Sequence, residues 1–154
     1  MSAELIIKKL KKTKETLSVA ESITGGGLGG ALTDISGSSQ VFMGGVIAYS
    51  DGAKIKELGV SKALIKKESA VSESVALEMA SAVRKKFKTD YGIATSGVAG
   101  PGKAYGQKAG TVWIAISSKK ESVAIPLSLS GDRSTIRKAT IDSAFALFSR
   151  ILGA

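Results

Sequence analysis

The order of apolar segments predicts an α/β fold, a three-layer α/β/α sandwich built on a mixed sheet. Three observations carry this. Short β-type runs alternate with helical patterns along nearly the whole chain, which requires a sheet covered on both faces. The last two β-type runs are separated only by a turn around Lys119-Lys120, which makes them an antiparallel pair. The chain has 154 residues, which predicts one domain spanning 1–154 that buries about 70% of its unfolded surface.

Each element has a local signal. In Ala3 to Lys12, Leu5, Ile6 and Leu10 recur at helical spacing between lysines. Thr16 to Ala20 reads as a strand, followed by a glycine-rich stretch from Thr24 to Gly30 and a helical Ala31 to Ile35. Val41 to Tyr49 reads as a strand, and Gly52 to Leu58 and Lys62 to Lys67 as short helices. Ser72 is a good N-cap for a helix reaching Phe87, with Val75, Met79 and Val83 on one face. Ile93 to Thr95 lies in a further strand, and Thr111 to Ile116 and Val123 to Leu129 form the antiparallel pair. Ser134 is expected to cap the last helix, which carries Ile136, Phe145, Phe148 and Leu152. Ligands in such sheets sit beyond the carboxyl ends of the strands. Here those ends fall at Glu21-Ser22, Tyr49-Ser50 and Ser96-Gly97.

The composition narrows the chemistry. The chain has neither Cys nor His, so disulfides, thiol nucleophiles, Cys- or His-ligated metals and a Ser–His–Asp triad are excluded. Hydrolysis would have to use Ser, Thr, Lys, Tyr or carboxylates. The net charge of +9 raises nucleic acid as a partner. The basic residues, however, fall in pairs such as Lys8-Lys9 and Lys85-Lys86 where helix faces and turns are expected, and no aromatic interleaves with them as a base-stacking platform. They read as solvated surface, with an electropositive cleft for a small phosphorylated ligand still compatible. The charged N-terminus does not resemble a signal peptide, and no apolar run reaches the length of a membrane span. A cytoplasmic chain without membrane partner is expected. The apolar C-terminal helix is compatible with a homo-oligomer.

Two glycine motifs resemble nucleotide loops. Gly25-x-Gly27-x-x-Gly30 with Asp51 downstream matches a dinucleotide fingerprint. Four residues, Glu21 to Thr24, nevertheless separate its strand from its first glycine, and the chain is too short for two mononucleotide-binding halves plus a substrate domain. Gly97-x-x-x-x-Gly102-Lys103 resembles a phosphate loop. Its next residue is Ala104, which has no hydroxyl for Mg²⁺, and a strand follows instead of a helix. Neither NAD-dependent redox chemistry nor an NTPase is the favoured reading.

Six segments in order are more specific: Ala20-Glu21-Ser22-Ile23-Thr24-Gly25-Gly26, Gly37-Ser38-Ser39, Tyr49-Ser50-Asp51 with Lys54, Ser96 to Pro101, Gly110-Thr111-Val112-Trp113, and Ser130-Gly131-Asp132-Arg133. From about Leu17 to Leu152 the chain resembles the CinA C-terminal domain family, the nicotinamide mononucleotide deamidases. The resemblance implies the α/β/α fold. It also implies a hydrolase converting nicotinamide mononucleotide to nicotinic acid mononucleotide and ammonia, without metal or cofactor. It implies Ser39 as nucleophile, Lys54 as base and Tyr49 as assisting hydroxyl. Ser96 falls where the family has Thr or Ser before Gly, and Arg133 where it has the Gly-Asp-Arg arginine. The chain departs from the family's usual pattern in the loop 102–109, where Lys108 is kept but Ala109 replaces Pro, and in Asp51, where Asn is commoner.

The residues allow this chemistry on their own terms. Amide hydrolysis needs a nucleophile, a proton shuttle and oxyanion donors, and without His or Cys a Ser–Lys pair is the leading route. Lys acts as a base only where burial or a neighbouring cation lowers its pKa. Gly97, Gly100 and Gly102 supply flexible backbone for an oxyanion or phosphate contact, and Arg133 is suited to holding a phosphate. Ser22 and Thr24 either cap the following helix or line the pocket; Glu21 reads as a structural acceptor. Substrate contacts are expected from Ser22, Thr24, Gly25, Ser96, Gly97, Gly100, Lys108 and Arg133. The competing reading is a non-catalytic nucleotide-binding module using the same pocket.

Overall fold

A computed structural model describes residues 2–153. Its elements are α1 (Ala3–Thr13), β1 (Leu17–Glu21), α2 (Gly27–Thr33), a 3₁₀ turn (Ser38–Gln40), β2 (Phe42–Ile47), α3 (Asp51–Leu58), α4 (Lys62–Glu68), α5 (Glu73–Phe87), β3 (Tyr91–Gly97), β4 (Thr111–Ser118), β5 (Ser122–Ser128) and α6 (Arg133–Leu152). The five strands form one mixed sheet in the order β2-β1-β3-β4-β5. β1 runs parallel to both β2 and β3, while β3–β4 and β4–β5 are antiparallel. Pro126, which cannot donate to a ladder, sits on the edge strand β5 opposite Trp113.

The alternation of side chains along the strands sorts the sheet into two unlike faces. Leu17, Val19, Ile93, Ile114 and Ile116 point to the face covered by α1, α2 and α6. Ala20, Ala94 and Ala115 point to the other, beneath α3, α4 and α5. Small residues on that side let α5 lie close against the sheet, where Ser18 donates its hydroxyl to the Val83 carbonyl at 3.1 Å. Gly92 marks the tightest approach: a Cβ there would fall on the Ala80 carbonyl and 3.1 Å from the Arg84 amide, both α5 backbone. Gly92→Ala is expected to cost about 2 kcal/mol or more, lowering the melting temperature by about 4–8 °C; a thermal melt checks it.

Several boundaries differ from the sequence expectation, for local reasons. The helix expected over 31–35 begins at Gly27, because the Glu21 carboxylate accepts the Leu28 and Gly29 amides at 2.7 and 2.9 Å and replaces the missing cap. The last helix is capped by Asp132, not Ser134; Asp132 accepts the Thr135 amide at 2.8 Å and Ser134 donates its hydroxyl to the same carboxylate. The strand around Ile93 extends over Tyr91–Gly97 because it is hydrogen-bonded on both sides. Among the described residues no helix is long and apolar enough to cross a membrane.

Candidate active site

Because β1, β2 and β3 are parallel, their carboxyl ends meet at one edge of the sheet, and a cleft of about 350 Å³ opens there. Ser22 is the first residue beyond β1, held by its amide on the Thr95 carbonyl of β3 at 3.0 Å. Lys54 arrives from the first turns of α3, a helix started by Ser50, whose hydroxyl accepts the Ala53 amide. Its side chain is 1% exposed, and the amine donates to the Ala48 carbonyl at 3.0 Å and stands 2.9 Å from Ser22 Oγ. Among the described residues no carboxylate touches it, and burial pushes its pKa below the ordinary lysine range, the more distant Asp51 charge opposing the shift. A lysine so placed can take the proton of the adjacent hydroxyl.

The turn behind Ser22 is tightly held. Thr24 Oγ1 donates to Glu21 at 2.5 Å and lies 2.8 Å from Thr95 Oγ1. Gly25 and Gly26 follow with φ of +57° and +101°, values that favour glycine and let the chain reverse into α2. Glu21 is therefore the structural acceptor expected of it. On the opposite wall Ser96 donates its hydroxyl to the Ala70 carbonyl at 2.7 Å. The rim is closed by Arg133, which donates to the Gly100 carbonyl at 2.6 Å and to the Tyr49 hydroxyl at 2.8 Å. Both acceptors are uncharged, so the guanidinium charge is free to meet an anion.

Of the expected site residues, Ser22, Tyr49, Lys54, Ser96, Gly97, Gly100 and Arg133 line this cleft. Thr24 and Gly25 are not among its lining residues and belong to the turn that follows Ser22. Lys108 is exposed and lines no part of it. Ser39 is corrected in the same way: it is an exposed residue of the 3₁₀ turn before β2, whereas Lys54 meets Ala48 just after that strand. The six residues of β2 separate the two by roughly 20 Å, so the hydroxyl beside the lysine is that of Ser22. Tyr49 presents its hydroxyl to Arg133, at the rim. Lys103, the lysine of the phosphate-loop-like motif, is also in the cleft wall, as is Tyr105, which carries no sequence signal beyond lying in a glycine-bounded loop. Among the described residues no cluster of three or more carboxylates is placed to hold a metal.

The comparisons with known proteins agree with this architecture. A CinA-like protein of Fervidobacterium nodosum is 43% identical over 148 residues, 96% of this chain and 36% of the relative. A competence-damage inducible protein of Thermoanaerobacter sp. (strain X514) is 43% identical over 150 residues, 97% of this chain and again 36% of the relative. The chain thus spans about a third of the length of these relatives. Among solved structures, a CinA superfamily protein from Escherichia coli superposes with a TM-score of 0.94 at 32% identity, covering 97% of this chain and 87% of that one. The competence/damage inducible protein of Agrobacterium tumefaciens gives 0.93 at 32% identity, covering 99% and 93%. The family model for the CinA C-terminal domain matches residues 1–152, and the chain belongs to that family.

Proposed function

We propose that the cleft is the active site of an amidase that converts nicotinamide mononucleotide to nicotinic acid mononucleotide and ammonia. The observation that carries this reading is the buried, uncompensated Lys54 amine 2.9 Å from Ser22 Oγ. Neutral Lys54 takes the Ser22 proton as Oγ attacks the carboxamide carbon. The resulting tetrahedral intermediate collapses as the lysine ammonium passes that proton to the leaving nitrogen, releasing ammonia and a nicotinoyl ester on Ser22. Water, deprotonated by Lys54, then attacks the ester, and the acid departs as Ser22 is regenerated.

Arg133, at the rim of the same cleft, offers its guanidinium to the nucleotide phosphate, with Lys103 also among the lining residues. A charge-assisted contact contributes about 1.5–3 kcal/mol, so Arg133→Ala is expected to raise KM about 10- to 100-fold while kcat changes less than about 3-fold. Steady-state kinetics separate the two constants. The reading as a whole is tested by ammonia release from nicotinamide mononucleotide by the purified chain, with and without EDTA. EDTA-resistant release supports it; tight nucleotide binding without release would restore the binding-module reading.

A further inference from the structure

Arg133 has a second arginine one turn further along the same face of α6. Arg137 is half-buried and donates from Nε to the Ile23 carbonyl at 3.2 Å and from Nη2 to the Thr24 carbonyl at 2.9 Å. Among the described residues the one ion pair is Lys119–Asp90, so Arg137 meets no carboxylate. Its guanidinium lies against the turn that follows Ser22, with Nη2 only 3.5 Å from where a Cβ on Gly25 would stand.

A carbonyl and the next amide are two ends of one peptide group. Arg137 therefore grips the peptide groups whose N–H ends belong to Thr24 and Gly25. The Gly25 amide closes the turn on the Ser22 carbonyl at 3.1 Å, whereas the amides of Ile23 and Thr24 reach no acceptor among the described residues. Those two amides directly follow the hydroxyl that Lys54 faces. A cation hydrogen-bonded to a peptide carbonyl polarises the whole group, which here strengthens the Thr24 N–H as a donor, while the Ile23 N–H is held only through the fixed shape of the turn. Glu21 holds the same turn from the other side, through the Thr24 hydroxyl and the first amides of α2.

We infer that Arg137 is a positioning residue of the amidase, holding the Ser22–Gly25 turn so that the Ile23 and Thr24 amides serve as the oxyanion donors. This rests on Ser22 being the nucleophile. The benefit arises only as negative charge develops on the reacting oxygen, so Arg137 acts on the chemical step and not on ground-state affinity.

The test uses the full chain and a fluorophosphonate probe, whose reaction with Ser22 forms an O–P bond, expels fluoride and passes the hydroxyl proton to Lys54. The phosphoryl oxygen then occupies the oxyanion position. Loss of an oxyanion donor costs about 10²–10³-fold, and Arg137→Ala is expected to slow Ser22 labelling by about 10²-fold. Added methylguanidine is expected to restore a measurable part of the rate, and Arg137→Lys to fall between. Labelling at the wild-type rate in Arg137→Ala overturns the inference. So does a wild-type chain that does not label at Ser22. A rate loss that merely follows a loss of folded protein in both variants, with no methylguanidine rescue, assigns Arg137 to stability and overturns it too. Ammonia release measured in parallel keeps the substrate reading separate: Arg137-dependent labelling without ammonia removes the amide substrate and retains the positioning role.

Discussion

Ser22→Ala is expected to lower kcat for ammonia release from nicotinamide mononucleotide by at least about 10⁴-fold, the scale on which removing a serine nucleophile acts. The fold should survive, because Ser22 is held mainly through its backbone amide on Thr95, and among the described residues its hydroxyl is an acceptor for Lys54 alone. Ser39→Ala is the matched control. Ser39 is exposed at the opposite end of β2, and its loss is expected to change kcat less than about 2-fold, as for most surface substitutions. A strong loss in Ser39→Ala beside near-normal turnover in Ser22→Ala would reverse the assignment.

The second large effect is that of Lys54. Removing a general base costs about 10²–10⁴-fold, so Lys54→Met should retain binding through Arg133 and lose turnover by about 10³-fold. The wild-type pH profile carries a sign that follows from burial. The base works only when neutral, and its folded-state pKa is lowered, so activity falls as pH drops through that lowered value and persists well below the ordinary lysine range. Asp51 modifies this limb. Its Oδ1 is buried with no hydrogen-bond partner among the described residues, and its charge raises the Lys54 pKa. Asp51→Asn therefore removes a field that favours the ammonium form. The acidic limb of the profile should move to lower pH; a shift to higher pH, or none, contradicts the arrangement.

Much of this architecture was legible before any coordinates. Alternation of β-type and helical runs fixes the layers because each pattern buries a different face, and the carboxyl ends of three strands pointed to the cleft. Ser22, Lys54, Ser96 and Arg133 were all candidates there. What stayed hidden depends on three-dimensional distance. Ser22 and Ser39 both precede Lys54 in the sequence, and both lie beside glycine-rich or turn segments. Only the parallel register of β1 with β2 places one beside the amine and the other a strand length away. The Glu21 carboxylate capping α2 was equally invisible, since a cap is normally sought immediately before the helix and this one reaches it from six residues upstream. Arg137 carried no signal at all, because its partners are backbone carbonyls more than a hundred residues earlier.

The most direct test is mass spectrometry of protein acid-quenched during turnover of nicotinamide mononucleotide. A covalent nicotinoyl-nucleotide ester localised by fragmentation to Ser22, and absent from Ser22→Ala, is the predicted result. Turnover with the adduct on Ser39 or on another residue, or sustained release of ammonia by Ser22→Ala, would contradict a serine–lysine amidase centred on this pair.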